Sequence, residues 1–166
     1  MSIKKYLATS ALAIAAAAAV VMPWEGKRNA AYQDHIGIWT ICYGHTGKEV
    51  IKGLRASNTQ CDLWLKEDLG TAYDTTTRCV PGEVPRSVRA AFTSFAFNVG
   101  PGGRGVKDGM CVLKSGKVPT HVQLLNAGEY NTACNMMLKW SNAGGVFSRG
   151  VYNRRLSEVA LCKEDL

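Results

Sequence analysis

The sequence lacks several features that mark common protein classes. It contains no C-x-x-C pair, no long acidic or Pro/Gly/Ser-rich tract and no internal repeat at a fixed period. These absences argue against a zinc site or thioredoxin-like motif, a disordered or fibrous chain, and a repeat architecture. No run of Lys and Arg is interleaved with aromatic residues, so we also expect no nucleic-acid partner.

What the sequence does contain indicates one folded domain with a basic surface. The chain has 166 residues, 46% of them hydrophobic and 20% charged, which is enough to bury a core without extra support. The formal net charge is +7, and an excess of basic residues remains when Lys4 and Lys5 are set aside. A basic balance fits nucleic acid, a membrane surface or an anionic polymer such as a cell wall, and among these we favour an anionic glycan as the partner.

The cysteines indicate an oxidising compartment. There are six of them, at Cys42, Cys61, Cys79, Cys111, Cys134 and Cys162. An even number that follows an export-like N-terminal segment predicts disulfides, whereas the alternative is a set of reduced, buried core thiols. Six cysteines allow fifteen pairings. Among these we favour Cys42–Cys61, Cys79–Cys111 and Cys134–Cys162, because each of these pairs joins neighbouring elements.

The N-terminal segment combines positive charge with weak apolarity. Lys4 and Lys5 precede residues 6–22, in which only Thr9 and Ser10 are polar. A segment of this length is at the short end of the roughly 17–25 residues that span a bilayer. Alanine dominates it and contributes little transfer free energy, so a permanent anchor is disfavoured against a cleaved signal peptide or a weak anchor that can leave the membrane. Charge before the apolar run predicts a cytoplasmic N-terminus.

The order of periodic segments predicts an α+β fold with a cleft between a small sheet and a helical lobe. Alternating β-branched and aromatic residues between Ala30 and Thr46 indicate a hairpin or a three-stranded sheet. Helical spacing and end signals then predict helices over residues 57–78, 88–99, 105–115, 119–127, 129–140 and 148–162.

Three polar side chains stand in the segment that joins the N-terminal helix to the sheet. Glu25 is followed nine residues later by Asp34 and six residues after that by Thr40. Two carboxylates and a hydroxyl are the groups needed to cut a glycosidic bond with water. Viewed singly, each has a plainer interpretation: a solvated charge, a turn residue and a strand residue.

The order and setting of these residues resemble the phage-type lysozymes, glycoside hydrolase family 24. The segments RAAFTSFAFNVG (89–100) and KWSNAGGVFSRGVYNRRLSE (139–158) also resemble that family. The resemblance implies a lysozyme-like α+β fold. It also implies hydrolysis of the β-1,4 bond between N-acetylmuramic acid and N-acetylglucosamine in peptidoglycan, with inversion of configuration at the anomeric carbon. It implies that Glu25 is the general acid, that Asp34 activates a water molecule and that Thr40 holds this water. It implies no metal and no cofactor.

The N-terminal segment is similar to that of the signal-arrest-release endolysins of certain phages. The resemblance implies that residues 1–22 form a releasable segment and residues 23–166 the catalytic domain. The host translocon would export the chain, residues 6–22 would tether it in the inner membrane with the domain in the periplasm, and depolarisation by a holin would release it as a monomer. The alternatives are a lytic transglycosylase and a non-catalytic wall-binding module.

Three further residues are candidates for binding the substrate. His45, in the motif G-H-T-G, matches a position of the family near the sheet, although a structural histidine is the plainer interpretation. Arg154 and Arg155 are adjacent on the last predicted helix. Such a pair usually lies on a solvated face, but one of the two is able to reach the cleft and hold the sugar or Glu25.

Overall fold

The computed structural model describes residues 3–34 and 36–166, with side chains described from residue 9 onward. Six helices and two small sheets follow one another in the described chain. The elements are α1 (Ile3–Glu25), β1 (Arg28–Gln33), β2 (Trp39–Cys42), α2 (Asn58–Cys79), α3 (Arg86–Val99), α4 (Thr120–Asn126), α5 (Tyr130–Met136), a 3₁₀ turn (Met137–Lys139), β3 (Asn142–Ala143), β4 (Val146–Phe147) and α6 (Arg149–Cys162).

Helix α3 forms the centre of the helical lobe. It packs against α1, α2 and α6, and ten consecutive residues from Ser87 to Ala96 are buried. Phe92 and Phe95 are its largest buried hydrophobic side chains, with 1% and 0% of their surface exposed. Burial on every side is what a central core helix requires, and the buried polar side chains Arg89 and Ser94 are hydrogen-bonded.

Helix α1 packs on this core through small residues. Ala13, Ala17 and Val21 are fully buried, one turn apart on the same face. Small side chains on that face let α1 approach α3 and α2 closely, and the helix continues without a break through Pro23 to Glu25. Gly26 then adopts φ +64°, a left-handed conformation that commonly follows a helix end. No helix of the described chain has the length and apolarity needed to cross a membrane.

The first sheet is a two-stranded antiparallel hairpin with an irregularity between Arg28 and Tyr32. The alternating segment therefore forms a hairpin, and the further pairing is limited to single bridges such as Ala30 with Arg55. Cys42, at the end of β2, has φ +60° and is joined to Cys61 of α2 by a disulfide. This bond fixes the hairpin to the helical lobe.

The other two disulfides are Cys79–Cys111 and Cys134–Cys162, so all three expected pairs are confirmed.

The prediction of a helix over residues 105–115 was wrong. That segment forms turns, in which Gly103 pairs with Lys107 and Gly105 donates to the carbonyl of Lys114. Gly105, the first residue of the expected helix, has φ +74°, which an α-helix does not accommodate. The other expected helices are present within a few residues of their predicted ends, and Ser57 caps α2 by accepting a hydrogen bond from the Gln60 amide at 3.1 Å.

Candidate active site

A cleft of about 380 Å³ lies between the first hairpin and the helical lobe. Its lining comes from the end of α1, the turn after β2, one face of α2 and the end of α3. These residues are Glu25, Tyr43, Gly44, Thr46, Asp68, Thr71, Ala72, Thr75, Ala96, Phe97, Asn98, Gly100 and Pro101. The volume falls within the range of small-ligand sites, and its mixed polar and apolar lining suits a sugar.

Glu25 is the last residue of α1, and its carboxylate reaches this cleft with 23% of the side chain exposed. Arg154 of α6 donates a hydrogen bond from Nη1 to Glu25 Oε1. The other carboxylate oxygen, Oε2, faces Gly44, where a Cβ atom would lie 3.7 Å away. An ion pair on one side and a glycine on the other therefore fix the carboxylate while leaving it accessible from the cleft.

Arg154 and Arg155 are buried, with 5% and 0% of their surfaces exposed, so the plainer interpretation of a solvated pair does not hold. Arg154 reaches the cleft residue Glu25, and its Nε donates to Glu158 Oε1 at 3.2 Å. Arg155 points elsewhere: it donates to Glu158 Oε2 at 2.6 Å and to Asn98 Oδ1. Burial lowers the pKa of Arg155 to about 10, against the opposing effect of Glu158, so the Arg155 guanidinium is charged at neutral pH.

Asp34 occupies the turn of the first hairpin. Its Oδ1 accepts hydrogen bonds from the backbone amides of Ile36 at 3.0 Å and Ile38 at 2.9 Å, so local backbone geometry orients the carboxylate. Thr40 is buried in β2, and its hydroxyl donates to the Ile38 carbonyl at 3.1 Å. Neither side chain is among the described residues that line the cleft. Of the three residues in the motif, the structure thus brings only Glu25 to this cleft.

His45 lies behind the cleft wall. Its Nδ1 is 2.8 Å from Asp68 Oδ2, its Nε2 is 2.7 Å from Glu49 Oε1, and its ring stacks on Trp64 at 4.7 Å. Burial acts to lower the pKa of His45, but the hydrogen bonds to Asp68 and Glu49 outweigh it and raise the pKa. Because both ring nitrogens are engaged by carboxylates, the geometry matches the structural histidine rather than a sugar ligand.

Sequence reasoning missed the acidic partner of the two arginines. Glu158 is fully buried, one turn after Arg154, and Ser94 of α3 donates to it at 2.8 Å. The available signal was the spacing of Arg154, Arg155 and Glu158, which places all three within reach of one another on a helix. Among the described residues, no group of three or more His, Cys, Asp or Glu is arranged to hold a metal ion.

A helical lobe, a small antiparallel hairpin and a glutamate in the cleft between them define a lysozyme-like α+β protein. A family model described as phage lysozyme matches residues 22–158. The chain therefore belongs to the phage lysozyme family, which implies glycoside hydrolase activity on peptidoglycan.

Individual relatives agree with this assignment. The SAR-endolysin of Enterobacteria phage PA-2 is 30% identical over 138 residues, which cover 83% of this chain and 76% of that protein. The crystal structure of the active form of the phage P1 endolysin matches with a TM-score of 0.75 and 26% identity, covering 89% of this chain and 82% of that chain. The secreted inactive form of that endolysin has the same fold, with a TM-score of 0.56 and 22% identity over 89% of this chain and 92% of that chain.

Proposed function

We propose that this chain hydrolyses the β-1,4 bond between N-acetylmuramic acid and N-acetylglucosamine, with Glu25 as the general acid. The observation that carries the proposal is the partly buried Glu25 carboxylate, held by Arg154 on one oxygen and open to the cleft beside Gly44. A general acid must lie within hydrogen-bond reach of the leaving oxygen, and a fixed but accessible carboxyl group satisfies this geometric requirement.

In the proposed reaction, Asp34 activates the attacking water and Thr40 holds it. Inverting enzymes place the two carboxyl groups roughly 6.5–9.5 Å apart so that a water molecule fits between the sugar and the base. Since Asp34 and Thr40 lie in the hairpin rather than in the cleft lining, this role requires the bound glycan to extend from the cleft across the hairpin.

Substitution of the carboxylates tests these roles. Glu25→Gln and Asp34→Asn keep the size of each side chain and remove its acid–base function. We expect both variants to lose at least about 100-fold in lysis of permeabilised Gram-negative cells, measured by turbidity. The matched control is Glu67→Gln, an exposed residue of α2 that should lyse cells like the unmodified protein. Full activity of Glu25→Gln would exclude the proposed acid.

We further propose that residues 6–22 tether the exported chain in the inner membrane until release. The proposal is supported by the similarity to the SAR-endolysin of phage PA-2 and by the basic and alanine-rich composition of this segment. Moving a charge across the membrane costs roughly 2.3 kcal/mol per 100 mV, so an inside-negative potential holds Lys4 and Lys5 in place by roughly 5 kcal/mol per 100 mV.

The fold of α1 is consistent with the released state. Ala13, Ala17 and Val21 are buried against the domain, a contact that a membrane-inserted segment cannot make. Glu25 is the last residue of the same helix, so release and packing of α1 would also set the position of the proposed acid. The described fold has a TM-score of 0.75 against the active form of the P1 endolysin and 0.56 against its secreted inactive form.

The outward face of α1 offers a direct test of tethering. Ala15 and Ala19 are exposed in the folded chain, so leucine at both positions leaves the packed face unchanged. Each replacement adds three carbon atoms at about 0.8 kcal/mol per carbon, or about 5 kcal/mol together, to the membrane-bound form.

After addition of an uncoupler to cells that express the protein, we expect the unmodified chain to move from the membrane fraction to the soluble periplasmic fraction. The double leucine variant should remain in the membrane fraction. Equal release of the two proteins, or no membrane-bound protein before depolarisation, would contradict the proposal. The purified variants should be equally active, since their packed faces are the same.

A further inference from the structure

The carboxylate of Glu158 lies at the junction between α6, α3 and the cleft. It is fully buried, and three donors converge on it: Arg154 Nε at 3.2 Å, Arg155 Nη1 at 2.6 Å and the Ser94 hydroxyl at 2.8 Å. The same Arg154 donates through Nη1 to Glu25, so one guanidinium bridges a buried carboxylate and the carboxylate in the cleft.

The hydrogen-bond pattern indicates that Glu158 is ionised. Burial raises its pKa, and the charges of Arg155 and Arg154 together with the Ser94 hydrogen bond oppose that shift. The Ser94 hydroxyl, Arg154 Nε and Arg155 Nη1 all donate to its two oxygens, so the ionised form is the one that accepts all three hydrogen bonds. The two arginines then face two carboxylates, Glu158 from within the core and Glu25 from the cleft.

The arrangement is hard to explain by stability alone. A buried cluster of this kind is often no more stable than well-packed hydrophobic residues, because removing each charge from water costs several kcal/mol. The cluster instead fixes the orientation of the Arg154 guanidinium. Glu158 holds the Nε edge of Arg154 one helical turn away, and the Ser94 carbonyl accepts a hydrogen bond from Nη2 at 3.4 Å, so the Nη1 atom is directed at Glu25.

We propose that Glu158 is a positioning residue that sets the location of the Glu25 carboxylate by fixing Arg154. The inference rests on the proposed function of Glu25 as the general acid. Through Arg155 the same carboxylate also holds the side chain of Asn98, which lines the cleft. Glu158 is thereby connected, through one arginine each, to two residues that line the cleft.

The primary test is Glu158→Gln, assayed on soluble, uncrosslinked peptidoglycan chains. The amide keeps the volume but presents an NH₂ group to one arginine, so Arg154 loses its charged anchor and keeps only the hydrogen bond from Nη2 to the Ser94 carbonyl. Misplacement of a reacting group by about 1 Å costs up to about 100-fold in rate, so we expect kcat to fall roughly 10- to 100-fold with KM changed by less than about 3-fold.

The matched control is Arg89→Met. Arg89 is another buried arginine, near the start of α3, where it donates to the carbonyls of Val80 and Gly82; it is not among the described residues that line the cleft. Its loss should lower the melting temperature and leave kcat unchanged. If Glu158 served stability alone, Glu158→Gln would behave in the same way, and that result would overturn the proposal.

A second comparison covers the case in which Glu158→Gln does not fold. The double variant Arg155→Met/Glu158→Gln removes one charge of each sign, leaving Arg154 paired with Glu25. Its kcat is compared with that of Arg155→Met alone, in which Glu158 still holds Arg154. A further 10-fold loss in the double variant supports the proposal, and an equal kcat overturns it.

A double-mutant cycle shows whether Glu158 acts through Arg154. If it does, Glu158→Gln should have no further effect on kcat in an Arg154→Met background. Additive losses would assign Glu158 a separate structural role. Failure of the proposed function is distinguishable, because the unmodified chain would then release no new sugar ends. Failure of the positioning role would leave Glu158→Gln active and Glu25→Gln inactive.

Discussion

His121 gives a quantitative prediction about acid stability. It lies on α4 with 2% of its surface exposed, and its Nε2 donates to the Met110 carbonyl at 2.9 Å. The rings of Phe92, Phe95 and Trp140 surround it, with centroids 5.7, 5.3 and 5.6 Å away. Burial among these rings lowers the pKa of His121 from 6.5 to about 4, although the hydrogen bond to Met110 opposes the shift.

The direction in which stability changes with pH follows from the number of protons that the folded and unfolded chains bind. Between pH 6.5 and about 4 the unfolded chain binds a proton at His121 that the folded chain excludes, so stability falls as the pH is lowered through this window. The loss relative to neutral pH is about 2 kcal/mol at pH 5 and about 3 kcal/mol at pH 4. For a chain of this size, 3 kcal/mol corresponds to roughly 6–12 °C in melting temperature.

The assay is thermal or urea unfolding of the unmodified protein and of His121→Gln at pH 7, 5 and 4. Glutamine can still donate to the Met110 carbonyl but does not titrate. Other groups, including His45, whose raised pKa favours the folded state at low pH, contribute equally to both proteins and cancel in the difference. We expect the variant to lose about 3 kcal/mol less than the unmodified protein by pH 4. If the unfolding free energies of the two proteins fell equally with pH, the lowered pKa of His121 would be refuted.

Two further predictions concern the backbone and the disulfides. Gly102→Ala should destabilise the chain by about 3 kcal/mol or more, because a Cβ there would lie 1.9 Å from the Val112 carbonyl oxygen. The control is Gly128→Ala, where φ is a similar +78° but no atom lies within 4 Å of the added Cβ, and its cost should be about 1 kcal/mol. Equal urea midpoints for the Gly102→Ala and Gly128→Ala variants would contradict this prediction. Replacing Cys134 and Cys162 by alanine opens a loop of 28 residues and should cost about 3.5 kcal/mol in urea unfolding, whereas an unchanged midpoint would contradict the model of disulfide stabilisation.

The order of the helices was predictable from the sequence because their signals are local. Ser57 before α2, the apolar stripe of α3 and Ser148 before α6 each mark an element that the structure contains. The segment 105–115 was not predictable in this way. Its backbone pairs with Pro101, Gly103 and neighbouring turns through close approaches that only glycines permit, and residue spacing does not report such approaches.

The candidate site was predictable only in part, for a related reason. Glu25 at a helix end before a glycine is a local pattern, and the structure places it in the cleft. The partnership of Glu25 with Arg154 joins residues 129 positions apart, and Glu158 adds a contact to Ser94 across 64 positions. Such pairings depend on how α1, α3 and α6 pack. The roles of Asp34 and Thr40 remain predictions.

The sugar ends left in digested peptidoglycan are the most direct test of hydrolysis by Glu25. Purified protein and its Glu25→Gln variant are incubated with Gram-negative peptidoglycan, and the new ends are identified by mass spectrometry. Hydrolysis with Glu25 as the acid predicts free reducing N-acetylmuramic acid ends with the unmodified protein and none with the variant. Anhydro ends would indicate the transglycosylase reaction, and the absence of any new ends would indicate a wall-binding module; either result would contradict hydrolysis by Glu25.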